Sequence, residues 1–347
     1  GKRSLVPTGR SFLIWYMDIY GGKKMADTKY AYAVARIRSM ELSLFSGAVI
    51  EQLVACKDYR QCLQFLVEKG WGDSDTPLDA DAILTRESEK TWEVIRELKV
   101  DMSAFAVLSY QKLFHNLKAA VKEVCTSEVN AHIFFEDCEP GREEMLRIIR
   151  EKDYQALPEY MREAAKEAYE TLLHTRDGQL CDIIVDRAAL EAIQKAGKAS
   201  GEEIVRQYAE STVAIGDIKI AYRCARTRKS PDFIRRALAD CDILNMDLLK
   251  RAAAASPEAV MEYLAQSGYQ EAAEAMKESN SAFERWCDNR LIRTIQPQKY
   301  NPFSIGPLVA YVLARENEIK TVRIILTCKQ NHLPDDFIRE RIREMYV

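Results

Sequence analysis

Glycine and proline are scarce, at 14 and 10 of 347 residues. That excludes a collagen-like or low-complexity chain and withholds the turn residues that a many-stranded β fold needs. A basic excess is also missing: 50 Lys and Arg face 53 Asp and Glu, for a net charge of −3. Nucleic-acid binders usually carry a basic excess, so no nucleic-acid partner is expected. No apolar run approaches the ~18 residues of a membrane span. Nine cysteines are scattered without a C-x-x-C pair, and no Asn-x-Ser/Thr sequon occurs. An odd cysteine count in a chain this large argues against a disulfide framework and for a reducing compartment.

The chemical motifs are absent too. Gly-x-Gly-x-x-Gly, Gly-x-Ser-x-Gly and His-Glu-x-x-His do not occur. AGKASG (196–201) resembles a phosphate loop only faintly, because Ala199 stands where Ser or Thr is required and Ala192 where the first Gly belongs. His115, His132, His174 and His332 lie far apart. His132, Glu136 and Cys138 make a weak metal site conceivable, but their spacing fits a loop after a helix better. Most carboxylates sit three or four residues from a basic residue, as Glu143 does from Arg147, which reads as a solvated helix face. No catalytic residue, cofactor or metal site is expected.

What is present is helix. Ala, Leu, Glu, Arg and Lys are abundant. Residues 28–56 read as helical, with Tyr32, Ile37, Met40, Leu44, Ile50 and Leu53 at three- and four-residue spacing. Ser230-Pro231, Ser256-Pro257 and Asp79 mark helix starts. Breaks fall at 71–77, 136–141, 175–178 and 296–302. Period-2 alternation is absent, so the fold class is all-α. Residues 1–24, which precede Met25, read as a leader or an added segment outside the fold.

The chain also repeats itself. FLVEKGWG (65–72) recurs as YLAQSGYQ (263–270), an offset of 198 residues, and a middle copy is expected near Tyr169. KDY at 57–59 recurs at 152–154. A sharper series is polar, Leu or Ile, then Lys: Asn116-Leu117-Lys118, Asp217-Ile218-Lys219 and Glu318-Ile319-Lys320, at offsets of 101 and 101. Ala120, Ala221 and Val322 match around it, as do Val124, Ala225 and Leu326. In a helix, 117, 120 and 124 form one stripe. A-Y-x-x-A-R at 31–36, 221–226 and 310–315 is a decoy, because its offsets of 190 and 89 disagree with 101.

Three helical repeats are therefore expected, 25–126, 127–227 and 228–347. A period near 100 exceeds the roughly 34 to 47 residues of common helical solenoids, so each repeat is a small bundle. Lys118, Lys219 and Lys320 are either surface residues inherited with the repeat or contacts to a common partner. Arg315 lies within the apolar stripe of its helix and needs a carboxylate, carbonyl oxygens or an open cavity. Tyr311, one turn earlier, is placed to stack on it. These five residues are the candidate partner-binding set.

YAYAVARIRSMELSL, FHNLKAAVK, VAIGDIKIAYR and NPFSIGPLVAYVLARENEIKTVRIILTCK resemble the C subunit of V-type (A-type) rotary ATPases, whose eukaryotic relative is the d subunit. The resemblance covers 28–347. It implies three similar helical bundles around a pseudo-three-fold axis, in a funnel on the cytoplasmic face of the membrane rotor ring of proteolipid subunits. It implies that the cavity receives the D and F subunits of the shaft, that one copy serves each complex, and that the protein is non-catalytic. A general helical adaptor with an open, in-line array and a helical enzyme using His132 or His115 are the alternatives that the residues leave open.

Overall fold

Side-chain caps set where the helices begin. In the computed structural model, which describes residues 29–347, Asp79 accepts the Ala82 N–H, Ser230 that of Phe233 and Ser256 that of Ala259. Pro231 and Pro257 follow in the first turn, where a missing N–H costs nothing. A further cap refines the reading of 28–56. Ser46 turns extended and accepts the Val49 N–H, so that stretch is two helices, α1 (Ala31–Glu41) and α2 (Gly47–Val54). The expectation for residues 1–24 falls outside the described residues.

All regular structure among the described residues is helical. The chain divides into two compact units, one holding the chain up to Val100 with Gln296–Ile338 and Glu344–Val347, the other Asp101–Ile295 with Arg339–Arg343. The first unit contains α1, α2, α3 (Tyr59–Glu68) and α4 (Ala80–Glu97). The second begins with a short helix, α5 (Ser103–Ala106). It continues through α6 (Tyr110–Thr126), α7 (Arg142–Glu151), α8 (Glu159–Thr175), α9 (Gly178–Ala199), α10 (Glu203–Arg226), α11 (Pro231–Ala237), α12 (Met246–Ala255), α13 (Pro257–Gln266), α14 (Gln270–Glu278) and α15 (Asn280–Ile295). The long α16 (Gly306–Gln330) then returns to the first unit and packs on α1, α2, α3 and α4.

In the second unit α6 packs on α7, α8 and α9, while α10 packs on α12, α13 and α15. Helix α10 also lies along α9 and joins the two groups. Each group therefore gathers around one of the three Lys-bearing helices. The core around α6 is made of Leu113, Phe114, Leu117, Val121, Met145, Ile148, Leu157 and Met161 among others. Burying each such side chain contributes about 1.5–3 kcal/mol. Helix α7 shows how the sequence chooses the face: Met145, Leu146, Ile148 and Ile149 go inward. On its outer face Arg147 pairs with Glu144 at 2.6 Å and Glu151 at 2.7 Å. Glu143 takes Arg142 instead of Arg147, because Glu144 and Glu151 already hold that guanidinium.

The recurring glycines end helices. Gly70 and Gly268 have φ of +84° and +83°, a conformation that costs a side chain about 1–2 kcal/mol. Beyond each, the aromatic N–H turns back: Trp71 donates to the Leu66 carbonyl and Tyr269 to the Leu264 carbonyl, both at 2.9 Å. Trp71 and Tyr269 are buried. Tyr169 lies inside α8, which runs on without the turn. AGKASG spans the C-terminal end of α9, not a strand-to-helix loop. Gly197 is there for packing, since a Cβ would stand 2.4 Å from the Ala209 Cβ.

Candidate functional site

The residue before each Leu/Ile-Lys pair is the unexpected one. Asn116, Asp217 and Glu318 are polar and almost wholly buried, with 0%, 0% and 1% of their surface exposed. A buried polar group costs free energy unless it is bonded, and each of the three bonds to the loop ahead of a neighbouring helix. The Phe135 N–H donates to Asn116 Oδ1 at 2.8 Å, and Asn116 Nδ2 donates to the Phe135 carbonyl at 2.8 Å. The Ala239 N–H donates to Asp217 Oδ1 at 2.9 Å. The Phe45 N–H donates to Glu318 Oε2 at 2.7 Å. The loops lead into α7, α12 and α2 respectively. One amide and two carboxylates thus accept the same kind of backbone N–H bond at a 101-residue spacing.

Charge is handled differently at each. Asn116 is neutral and satisfies both partners. Asp217 is not so well served: Oδ2 is buried with no hydrogen-bond partner. Burial pushes its carboxyl up to about 7, while the Ala239 N–H, Lys250 and Arg187 pull it back and Asp240 adds to the rise. Glu318 is paired with Arg315, whose Nη1 donates to Glu318 Oε1 at 2.5 Å. Burial pushes the Glu318 carboxyl upward, against Arg315 and the Phe45 N–H.

Arg315 meets the need its place in the apolar stripe creates. Only 6% exposed, it pairs with Glu87 as well as Glu318, and Nε donates to Thr91 Oγ1 at 3.2 Å. Glu87 in turn accepts the Gly72 N–H at 2.9 Å and Lys90 Nζ at 2.7 Å. The sequence points to Tyr311 as the stacking ring, but the ring under the guanidinium, 5.3 Å away, is Trp71's. The reason is the turn at Gly70, which carries Trp71 inward onto Phe45, with ring centroids 5.0 Å apart. Tyr311 is buried on the same helix, and burial raises its hydroxyl.

The lysines lie at the edges of these cores. Lys118 donates to Asp186 and Lys219 to Glu284, each at 2.7 Å, and Lys320 is exposed. His132 and Glu136 are exposed while Cys138 is buried in the α6 core, so the three do not converge. His115 Nε2 lies 2.9 Å from the Ile133 carbonyl, and its ring meets Phe135 edge-on. Among the described residues, no group of three His, Cys, Asp or Glu is placed to hold a metal.

In the sequence the polar residue serves only as a marker for the lysine, and the hub it makes goes unread. A signal is there. Asn116 stands three residues after Leu113 and four before Ala120; Asp217 stands four from both Val213 and Ala221; Glu318 stands four from both Ala314 and Val322. Those are positions of the inward face.

The three buried polar residues at a 101-residue spacing sit on helices, all regular structure among the described residues is helical, and no helix of the described residues is long and apolar enough to cross a membrane. The chain belongs to the ATP synthase (C/AC39) subunit family, whose model matches residues 33–341. It is similar to the C subunit of the V-type sodium ATPase of Enterococcus hirae, with 22% identity over 317 residues that cover 89% of this chain and 97% of that protein. It is also similar to the C subunit of the A-type ATP synthase of Methanocaldococcus jannaschii, with 21% identity over 341 residues, 89% of this chain and 85% of that protein.

Proposed function

We propose that this protein is the non-catalytic central-stalk component of a rotary ATPase, linking the D and F subunits of the shaft to the membrane rotor ring during ATP-linked ion transport. The recurrence of one buried polar hub at 116, 217 and 318 is the observation that carries this reading. A single helical module, used as 25–126, 127–227 and 228–347 about a pseudo-three-fold axis, makes a stiff body. Torque transfer needs stiffness, and close-packed helices bonded to their loops resist deformation. The three-fold body cannot match a ring of different symmetry contact for contact. Its base should therefore rest on the ring through polar and charged groups, with 30% of residues charged to supply them. On this reading one copy sits on the cytoplasmic face, held to the membrane only through the complex. Tagged protein mixed with the purified D and F subunits, and separately with the solubilised rotor ring, should capture both. Capture of neither would overturn the proposal.

A further inference from the structure

A groove of about 430 Å³ opens between the C-terminal half of α10 and the start of α15. Lys219, Arg223 and Arg226 line one wall, and Asn280, Phe283 and Glu284 the other. The three cations stand at i, i+4 and i+7, a single helix face about 10 Å long. One carboxylate opposes them: Glu284 takes Lys219 at 2.7 Å. Arg226 is oriented but not neutralised, with Nη1 donating to Asn280 Oδ1 at 2.7 Å and its guanidinium 5.7 Å from the centre of the Tyr222 ring. Arg223 is exposed in the same row. The macrodipole favours basic residues in the last turn of a helix, which suits Arg223 and Arg226. It explains neither Lys219 farther back nor the open groove.

The matching face of α6 sharpens the contrast. There Lys118 pairs with Asp186 at 2.7 Å and Lys122 with Asp182 at 2.6 Å, so the charge cancels within the chain. Among the residues lining the α10 groove, three cations face one carboxylate; Asp288, which also acts on Lys219, is paired with Arg343.

We propose that this groove docks the acidic face of a helix from a partner protein, with carboxylates at helical pitch against Lys219, Arg223 and Arg226 and an apolar edge toward Tyr222 and Phe283. A row of cations at the pitch of a helix is complementary to carboxylates at that pitch, whereas one phosphate is too small to engage cations about 10 Å apart. The site stands on the groove alone and not on the stalk reading. It would add orientation to that reading, because three similar helix groups give a partner three near-equivalent ways to dock, and one uncompensated row favours one of them.

The test uses the full chain and two fluorescent Ala-rich helical peptides, identical except for Glu or Gln at i, i+4 and i+7. Anisotropy titration should show the Glu peptide binding at least about tenfold tighter than the Gln peptide, and weakening as salt rises from about 50 to about 300 mM. Arg223→Ala/Arg226→Ala should lose at least about tenfold in affinity, while Lys118→Ala/Lys122→Ala should bind as the wild type does. Both arginines are exposed, so thermal melts of the first variant should match wild type; if they do not, Arg223→Gln/Arg226→Gln replaces it. Equal binding of the two peptides, or full binding by the arginine variant, overturns the proposal. So does capture of pyrophosphate or phosphatidylserine vesicles, but not of the Glu peptide, through the same arginines. The titration contains no other ATPase component, so its failure and failure of D, F or ring capture are read separately.

Discussion

Replacing Asp217 by Asn should make the protein more stable, and more so as pH rises. The carboxyl is fully buried, Oδ2 has no partner, and burial pushes its pKa from 3.8 to about 7. Moving the carboxyl from 3.8 to about 7 corresponds to about 4 kcal/mol. The sign follows from proton binding. Between about pH 4 and pH 7 the folded state keeps a proton that the unfolded chain has released, so stability falls as pH climbs through that window. Below it both states are protonated, and above it both are ionised, so the loss is complete near pH 7 and then constant. Asparagine cannot titrate, and Asn116 shows that an amide fits such a hub, donating to the Phe135 carbonyl at 2.8 Å. Thermal melts of wild type and Asp217→Asn, followed by helix circular dichroism, should diverge across the window. At ~2–4 °C per kcal/mol for a unit of this size, the gap should grow by roughly 10 °C. Other titrating groups, Glu318 among them, are common to both proteins and cancel in the difference. A gap that stays constant from acid to neutral pH would mean that Asp217 is ionised in the folded protein, and the reasoning would be refuted.

Arg315→Ala should leave Glu318 buried without its cation and Glu87 with Lys90 alone, and cost about 3–5 kcal/mol. A thermal midpoint close to wild type would show that the pairing is not structural, and binding of partners per folded molecule should be unchanged. Gly268→Ala forces a side chain to φ +83° and should cost about 1–2 kcal/mol. Gly178→Ala, at the start of α9 with nothing within 4 Å of the new Cβ, should be neutral or stabilising by up to about 1 kcal/mol; equal losses at the two sites in denaturant titrations would refute the left-handed-turn argument.

The parts of the fold legible in the sequence are those whose cause lies within a turn or two of chain. Ser230, Ser256 and Asp79 cap helices because the N–H groups they accept are three residues away. The three Lys-bearing helices are marked by their spacing, and Gly70 and Gly268 by their aromatic partners. The candidate site is less legible. Arg315 stands out as an anomaly, but the ring beside it cannot be read locally, because Trp71 is brought there by a turn far away in sequence. Asn116, Asp217 and Glu318 are letters of a pattern, since nothing local says that a polar side chain faces inward rather than toward water.

By itself, then, the amino-acid order determined the helices, their caps and the repeat that runs through them, because hydrogen bonds between near neighbours and apolar periodicity are short-range causes. Only the tertiary structure decided which polar groups are buried and what satisfies them. Arg315 and Glu87 are separated by 228 residues and Glu318 and Phe45 by 273. A charge leaves water only when such distant partners arrive together to replace it.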